Sequence, residues 1–310
     1  MVMSIITRQL LKIRNNGKGK VAQASNIQPG VYIMRRGAIR GTKTKLQAAI
    51  LLGLFVAAGV FGDGREKQLA QKDGAYVPIL VFHSVRPYRA TDLMRVRKYI
   101  VTPDTLDKEL GYLKENGYVS VCFDDLTHRL LLGTPLPPKP LILSFDDGWA
   151  SQYEYALPLL KKYGFIATFF VFTNAIGVKN FMSWDQLLDL EEVGMQIGCH
   201  SKSHPFLTRI KSEEALRQEI FGAKQIIETH LREAMTVYDY PFGVYNDHII
   251  ELVKEAGFVC ARGTAPGIFH TRDELFTLTT LGQTTSLKML IGALEEYQRE
   301  TGLPRVPLRS

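Results

Sequence analysis

The chain has little cysteine, little tryptophan and, over its first 45 residues, no acidic side chain at all. Three cysteines among 310 residues (Cys122, Cys199 and Cys260) close at most one disulfide, which excludes a small cross-linked scaffold. No CxxC-type pair offers a thiolate metal site, and Cys199 and Cys260 stand in strand-like apolar runs where a small buried side chain suits them. There is no internal repeat and no low-complexity tract. The missing acid decides how the net charge of +7 is read. Residues 1–45 hold ten Lys/Arg and neither Asp nor Glu, leaving 28 basic against 31 acidic residues elsewhere, a balance of −3. The excess charge belongs to the tail, so the rest of the chain gives no reason to expect a nucleic-acid partner.

After Lys45 comes a run without charge, residues 46–62, in which Gln47 is the polar exception. It sits at the short end of the about 17–25 apolar residues a spanning helix needs. Basic residues before it and Asp63 after it place residues 1–45 in the cytoplasm as a basic tail and the remainder outside. The expectation is an exported protein: membrane-anchored if residues 46–62 are a signal anchor, secreted if they are a signal peptide cleaved near Ala57, Ala58 and Gly59. Met34, ahead of Arg35 and Arg36, is an alternative start. Residues 63–76 are polar and read as a linker, and residues 77–310, in a chain that is 45% hydrophobic, can bury one large core.

From residue 77, short apolar runs alternate with amphipathic stretches. The spacing predicts strands at 77–83, 141–145, 166–172, 195–199, 235–240 and 257–261. Helical spacing falls between and after them, at 103–116, 153–163, 183–193, 212–231, 247–256 and 286–297. Ser183 with Gln186 reads as a capping box, Ser212 as a cap, and Gly117, Gly164, Gly194 and Gly257 as helix stops. Repeated strand–helix units imply an α/β fold with a parallel sheet, either a barrel or a doubly wound sheet, and a ligand site at the carboxyl ends of the strands.

The residues that carry chemistry lie at those ends. Leu143-Ser-Phe-Asp-Asp-Gly148 closes an apolar run on two carboxylates, Asp146 and Asp147. Consecutive strand residues face opposite ways, so the two need not share a task. Gly198-Cys-His-Ser-Lys-Ser-His204 adds two imidazoles, His200 and His204. One carboxylate and two histidines leave an open position on a divalent metal, and the second carboxylate is free to act as a base.

These segments, together with Tyr240-Pro-Phe-Gly243, resemble the first three motifs of the polysaccharide deacetylases (the NodB-homology, carbohydrate esterase 4 family). The resemblance covers about residues 77–290. It implies a distorted (β/α) barrel that removes N-acetyl groups from amino-sugar polymers with one divalent metal; zinc suits the ligands, and nickel, cobalt, manganese or iron would fit similar ones. By position, Asp146 matches the general base, Asp147, His200 and His204 the metal ligands, and the backbone N–H of Phe242 the oxyanion donor. Trp149, Tyr240 and Arg262 are expected to contact substrate, Trp149 by stacking on a sugar ring, whereas Trp184 is expected to pack at a helix start.

Two departures from the family pattern matter. The third motif usually has an Arg two places before its proline, and here that stretch is Val237-Tyr-Asp-Tyr-Pro241. Arg262, past a later strand, is either its substitute or a surface salt-bridge residue. The usual C-terminal Leu-x-His is replaced by Leu278-Thr-Thr-Leu-Gly282, while Val77-Pro-Ile-Leu-Val-Phe-His83 opens the domain. That order resembles the branch acting on the biofilm exopolysaccharide poly-β-1,6-N-acetylglucosamine, which makes His83 the general acid. The implied function is a metal-dependent deacetylase of N-acetylglucosamine units in an extracellular polysaccharide. Its implied partners are that polymer, the membrane through the N-terminal segment, and polysaccharide synthesis or export proteins. Peptidoglycan or chitin-like oligomers are alternative substrates, and a non-catalytic sugar-binding or assembly role is the alternative of another class. His128, His230, His248 and His270 read as solvated or helix-surface residues.

Overall fold

The computed structural model describes residues 74–302. The basic tail, the apolar run 46–62, most of the linker and residues 303–310 lie outside the described residues, and with them the anchor and signal-peptide readings. Among the described residues no helix is long and apolar enough to cross a membrane.

Eight strands run parallel round one sheet: β1 (Ile79–Phe82), β2 (Pro140–Phe145), β3 (Thr168–Val171), β4 (Gln196–Cys199), β5 (Val237–Asp239), β6 (Cys260–Pro266), β7 (Leu278–Thr280) and β8 (Gly282–Gln283), with the short strand Val119–Ser120 pairing off this path against the start of β2. β1 to β7 pair in chain order, and β8 returns to pair with β1 at Gly282↔Leu80. β7 and β8 are separated by Leu281 alone, whose N–H donates to the carbonyl of Ile79. The sheet is thus a nearly closed barrel, as the strand–helix alternation implies, and the doubly wound alternative falls away.

Its interior is layered by the two-residue period of the strands. Ile79, Ile142, Phe170, Val237, Cys260 and Leu278 form one apolar cluster, one residue from each of six strands. β4 contributes Gly198 at this level, because a Cβ there would lie 2.4 Å from the Phe170 ring. The alternate residues, among them Leu80, Phe82, Leu143, Phe145 and Phe169, pack outward under the surrounding helices. Buried on both faces, β1 to β3 therefore read as continuous apolar runs.

Most predicted helices stand where their caps put them: Pro103–Glu115 after Thr102, Trp184–Glu192 after Ser183 with its capping box, Asp247–Glu255, and Leu287–Thr301. Three corrections follow from the structure. A helix at Phe123–Leu132, absent from the sequence reading, closes the barrel floor with Phe123 and Leu126 in the inner cluster. The helices expected at 153–163 and 212–231 each contain a π turn, Gln152–Ala156 and Gln218–Gly222. Residues 74–76, read as the end of the linker, pair antiparallel with Phe269–Thr271. This last pairing buries His270, whose Nε2 lies 2.9 Å from the carbonyl of Val77, so it is a structural histidine rather than a solvated one. All three cysteines are free.

Candidate active site at the carboxyl edge of the barrel

Two residues beyond the apolar layer, the same strand faces turn polar. Val237 is followed inward by Asp239, Cys260 by Arg262 and Gly198 by His200, while Ile142 leads through Ser144 to Asp146. All four polar groups are buried, Arg262 completely. Its guanidinium lies over the Phe170 ring at 4.8 Å and pairs with Asp146 and, at 3.0 Å, with Asp239. The surface salt-bridge reading of Arg262 is excluded by its burial: it lines the cavity and is the partner of Asp146. Burial opposes ionisation of Asp146, but Arg262, with His83 and His200, outweighs it and holds the carboxyl below its ordinary value.

Asp147 points elsewhere. Its left-handed backbone (φ +73°) turns the carboxylate out of the strand direction, and Trp149 Nε1 donates to Oδ2 at 3.0 Å. Oδ1 is left facing the histidines, 3.4 Å from His204 Nε2 and 3.7 Å from His200 Nε2. The two Nε2 atoms are themselves 3.0 Å apart. One carboxylate oxygen and two imidazole nitrogens within 4.8 Å of one another fit a divalent cation with an open coordination position.

Behind His200 stands Asp239, which sequence reasoning missed. His200 Nδ1 lies 3.0 Å from Asp239 Oδ2 and 2.9 Å from its carbonyl, the buried outer contact that fixes which ring nitrogen faces the ligand position. Burial opposes the charged form of His200, yet Asp239 outweighs it and brings the pKa up to about 9. Burial, then the charge of His200, brings His204 down to about 4. Burial also raises Asp239, more than Arg262 offsets. The signal for Asp239 was present in the sequence: it occupies the position, two before Pro241, where the family motif carries Arg.

His83 comes from the other side of the barrel, just past β1. Its Nε2 lies 3.9 Å from Asp146 Oδ2, its ring sits 5.1 Å from that of Tyr99, and its buried Nδ1 has no hydrogen-bond partner. Gln152, on the first π turn, ties the two loops together by donating to the carbonyls of His83 at 2.9 Å and Asp146 at 2.5 Å. Phe242 has φ +60° and is half exposed, with its ring stacked on Phe206 and edge-on to His204. Tyr240 borders the cavity, but its side chain is packed in the core and its hydroxyl donates to the carbonyl of Phe276. Trp149 remains at the cavity but stacks on Phe181 (4.5 Å), so one indole face and the N–H are already engaged. Trp184 packs flat against His230, as a helix-start residue should.

His83, Asp146, Asp147, His200, His204 and Phe242 line a single cavity of about 800 Å³, walled on one side by Arg86 and Tyr99 and on the other by Trp149. This volume suits a sugar-sized ligand.

Residues 133–261 match the family model described as polysaccharide deacetylase. Among characterised and assigned proteins, the chain is 26% identical over 204 residues to Bacillus subtilis (strain 168) YxkH, a protein assigned as a polysaccharide deacetylase, covering 66% of this chain and 70% of that one. It is 23% identical over 216 residues to the poly-β-1,6-N-acetyl-D-glucosamine N-deacetylase of Staphylococcus aureus (strain MSSA476), covering 63% and 74%. Two solved structures share the fold. The Streptococcus pyogenes deacetylase PplD has a TM-score of 0.64 at 24% identity, over 71% of this chain and 98% of that one. IcaB from Ammonifex degensii has a TM-score of 0.62 at 23% identity, over 72% and 97%. With the Asp-Asp and His-x3-His motifs gathered at one barrel mouth, residues 133–261 carry a polysaccharide deacetylase domain, and the relatives and structures the chain resembles are named deacetylases.

Proposed function

We propose that this enzyme is a metal-dependent N-deacetylase of N-acetylglucosamine units in an extracellular polysaccharide, with poly-β-1,6-N-acetylglucosamine as its polymer. The observation that carries the reading is the pairing of His83 with Asp146 across one cavity. An acid at the end of β1 and a base at the end of β2 flank the Asp147–His200–His204 set. The kinship to an enzyme named for this polymer supports the substrate.

Asp147, His200 and His204 would hold a divalent cation, zinc in this reading, which when bound would supply Lewis-acid polarisation of the acetyl carbonyl and of water. Asp146, kept ionised by Arg262, accepts the proton of the attacking water. The Phe242 N–H donates to the carbonyl oxygen as negative charge develops there. His83 gives a proton to the sugar nitrogen as the carbon–nitrogen bond breaks, so that a free amine and acetate leave. Arg262 supplies the guanidinium that the third motif lacks, which argues against a sugar-binding protein without catalysis.

The chain acts outside the cytoplasm in this reading, with residues 46–62 as anchor or export signal and polysaccharide synthesis or export proteins as neighbours. The test of substrate is amine release by the full-length protein from poly-β-1,6-N-acetylglucosamine, peptidoglycan and chitin oligomers side by side. Release from the first polymer at least tenfold faster than from the others is expected. Preference for either of the others would overturn the substrate assignment.

A further inference from the structure

His204 lies farther from its strand than His200 does, its N–H donating to the Ser201 hydroxyl at 2.9 Å. His200 directly follows β4 and is backed by Asp239, whereas His204 lies four residues out on a turn in which Ser201 (φ +71°) and His204 (φ +57°) are both left-handed. Such conformations are unfavourable for a residue with a side chain, so neighbouring groups must hold them.

The holding groups lie on two sides. The carbonyls of Ser201 and Lys202 accept hydrogen bonds from the N–H groups of Thr173 (3.2 Å) and Asn174 (2.8 Å). The opposite edge of the turn is met by one carboxylate. Glu219 Oε2 accepts from the N–H groups of Lys202 (3.0 Å) and Ser203 (2.8 Å), and Oε1 from the Ser203 hydroxyl (2.6 Å). Two consecutive amides converging on an anion form a small nest, and charge-assisted bonds of this kind are the strong ones.

Glu219 reaches the turn from the π turn Gln218–Gly222, which interrupts the helical stretch between Glu213 and Leu231. The π turn at the other catalytic loop does the equivalent work with Gln152. Extra residues inserted into a helix commonly mark functional sites, because they re-aim side chains that a regular helix would point elsewhere.

We infer that Glu219 is a positioning residue for the metal site, clamping the 201–204 turn so that His204 faces Asp147. The inference rests on the metal-dependent reading above, and its test separates the two. The full-length protein, the variants Glu219→Ala, Glu219→Gln and Ser203→Ala are each titrated with Zn²⁺ in competition with a chromogenic chelator. Melting temperatures are measured in excess chelator. Loss of an outer-shell partner weakens metal affinity about 10–100-fold, and that is the fall expected for Glu219→Ala, with Glu219→Gln intermediate and Ser203→Ala several-fold weaker than native. Melting temperatures in excess chelator are expected to fall for Glu219→Ala, which loses three bonds to the turn, but to stay above the titration temperature for every variant. Zinc affinity of Glu219→Ala within twofold of native overturns the clamp and leaves the deacetylase reading intact. If Glu219→Ala does not fold, undiminished affinity in Glu219→Gln and Ser203→Ala overturns it equally. A native protein that binds no Zn²⁺ sinks both.

Discussion

Arg262 and Asp239 stand in direct register on neighbouring strands, with Nη2 3.0 Å from Oδ2, and the same guanidinium reaches Asp146. The family motif would carry its Arg at position 239. Here an acid stands there, and the cation comes from the next strand, so charge and position have been exchanged across one strand pair while Asp146 keeps its counter-charge.

Removing that cation exposes its work. Arg262→Met leaves two buried carboxylates facing each other, and breaking a buried pair from one side typically costs about 3–5 kcal/mol. Asp146 is held below its ordinary pKa in the native protein, so its contribution is present above the unfolded value and lost as pH falls through the folded one. In Arg262→Met the carboxyl rises, and the acid limb of kcat/KM moves to higher pH. Urea unfolding and a pH–rate profile check both statements, and an unmoved acid limb would contradict the pairing's role.

His83 is expected to act on the leaving nitrogen alone. His83→Gln should lower kcat by about 10²–10⁴, the usual worth of a general acid, with Zn²⁺ affinity unchanged because the ring is outside the Asp147–His200–His204 set. Retained turnover would return the acid role to another group.

A second titration belongs to a residue outside the cavity lining. Glu109 is fully buried, with the Thr284 hydroxyl 3.4 Å from Oε2 and no partner for Oε1. Burial, only partly offset by Thr284, pushes its carboxyl up to about 7. An acid with a raised folded pKa binds its proton more tightly when folded, so stability is highest below the unfolded value near 4.5 and declines as pH rises towards 7. The decline is on the order of 3 kcal/mol, at 1.36 kcal/mol for each pH step between 4.5 and about 7. Glu109→Gln should flatten this slope and stabilise the protein at pH 8. Parallel stability–pH curves for native and variant would refute it.

What the sequence disclosed follows from where its signals were local. The Asp146-Asp147 and His200/His204 pairs were visible because each is contiguous and sits at the end of an apolar run. His83 was visible through its place at the end of β1. Two helix starts were legible from their caps, Ser183 with its capping box and Ser212. Gaps opened where partners are distant in sequence. Asp239 and Arg262 acquire meaning only when β5 and β6 pair, and Tyr240 becomes a core residue only because Phe276 supplies an acceptor for its hydroxyl. The helix Phe123–Leu132 begins at Cys122, whose thiol stands in for the usual Ser or Thr cap, with Asp125 closing the box. The π turns leave no mark in an amphipathic pattern. They were found through what Gln152 and Glu219 touch.

The central claim is that Asp146 is the base while a separate set of ligands holds the metal. The most direct measurement is amine release from poly-β-1,6-N-acetylglucosamine by native protein and Asp146→Asn, each stripped with chelator and then reloaded to the same measured Zn²⁺ content. The account predicts that native activity is lost on stripping and returns on reloading. Asp146→Asn should stay about 10²–10⁴-fold slower despite a full complement of metal. Equal turnover by the two proteins at equal zinc would contradict it.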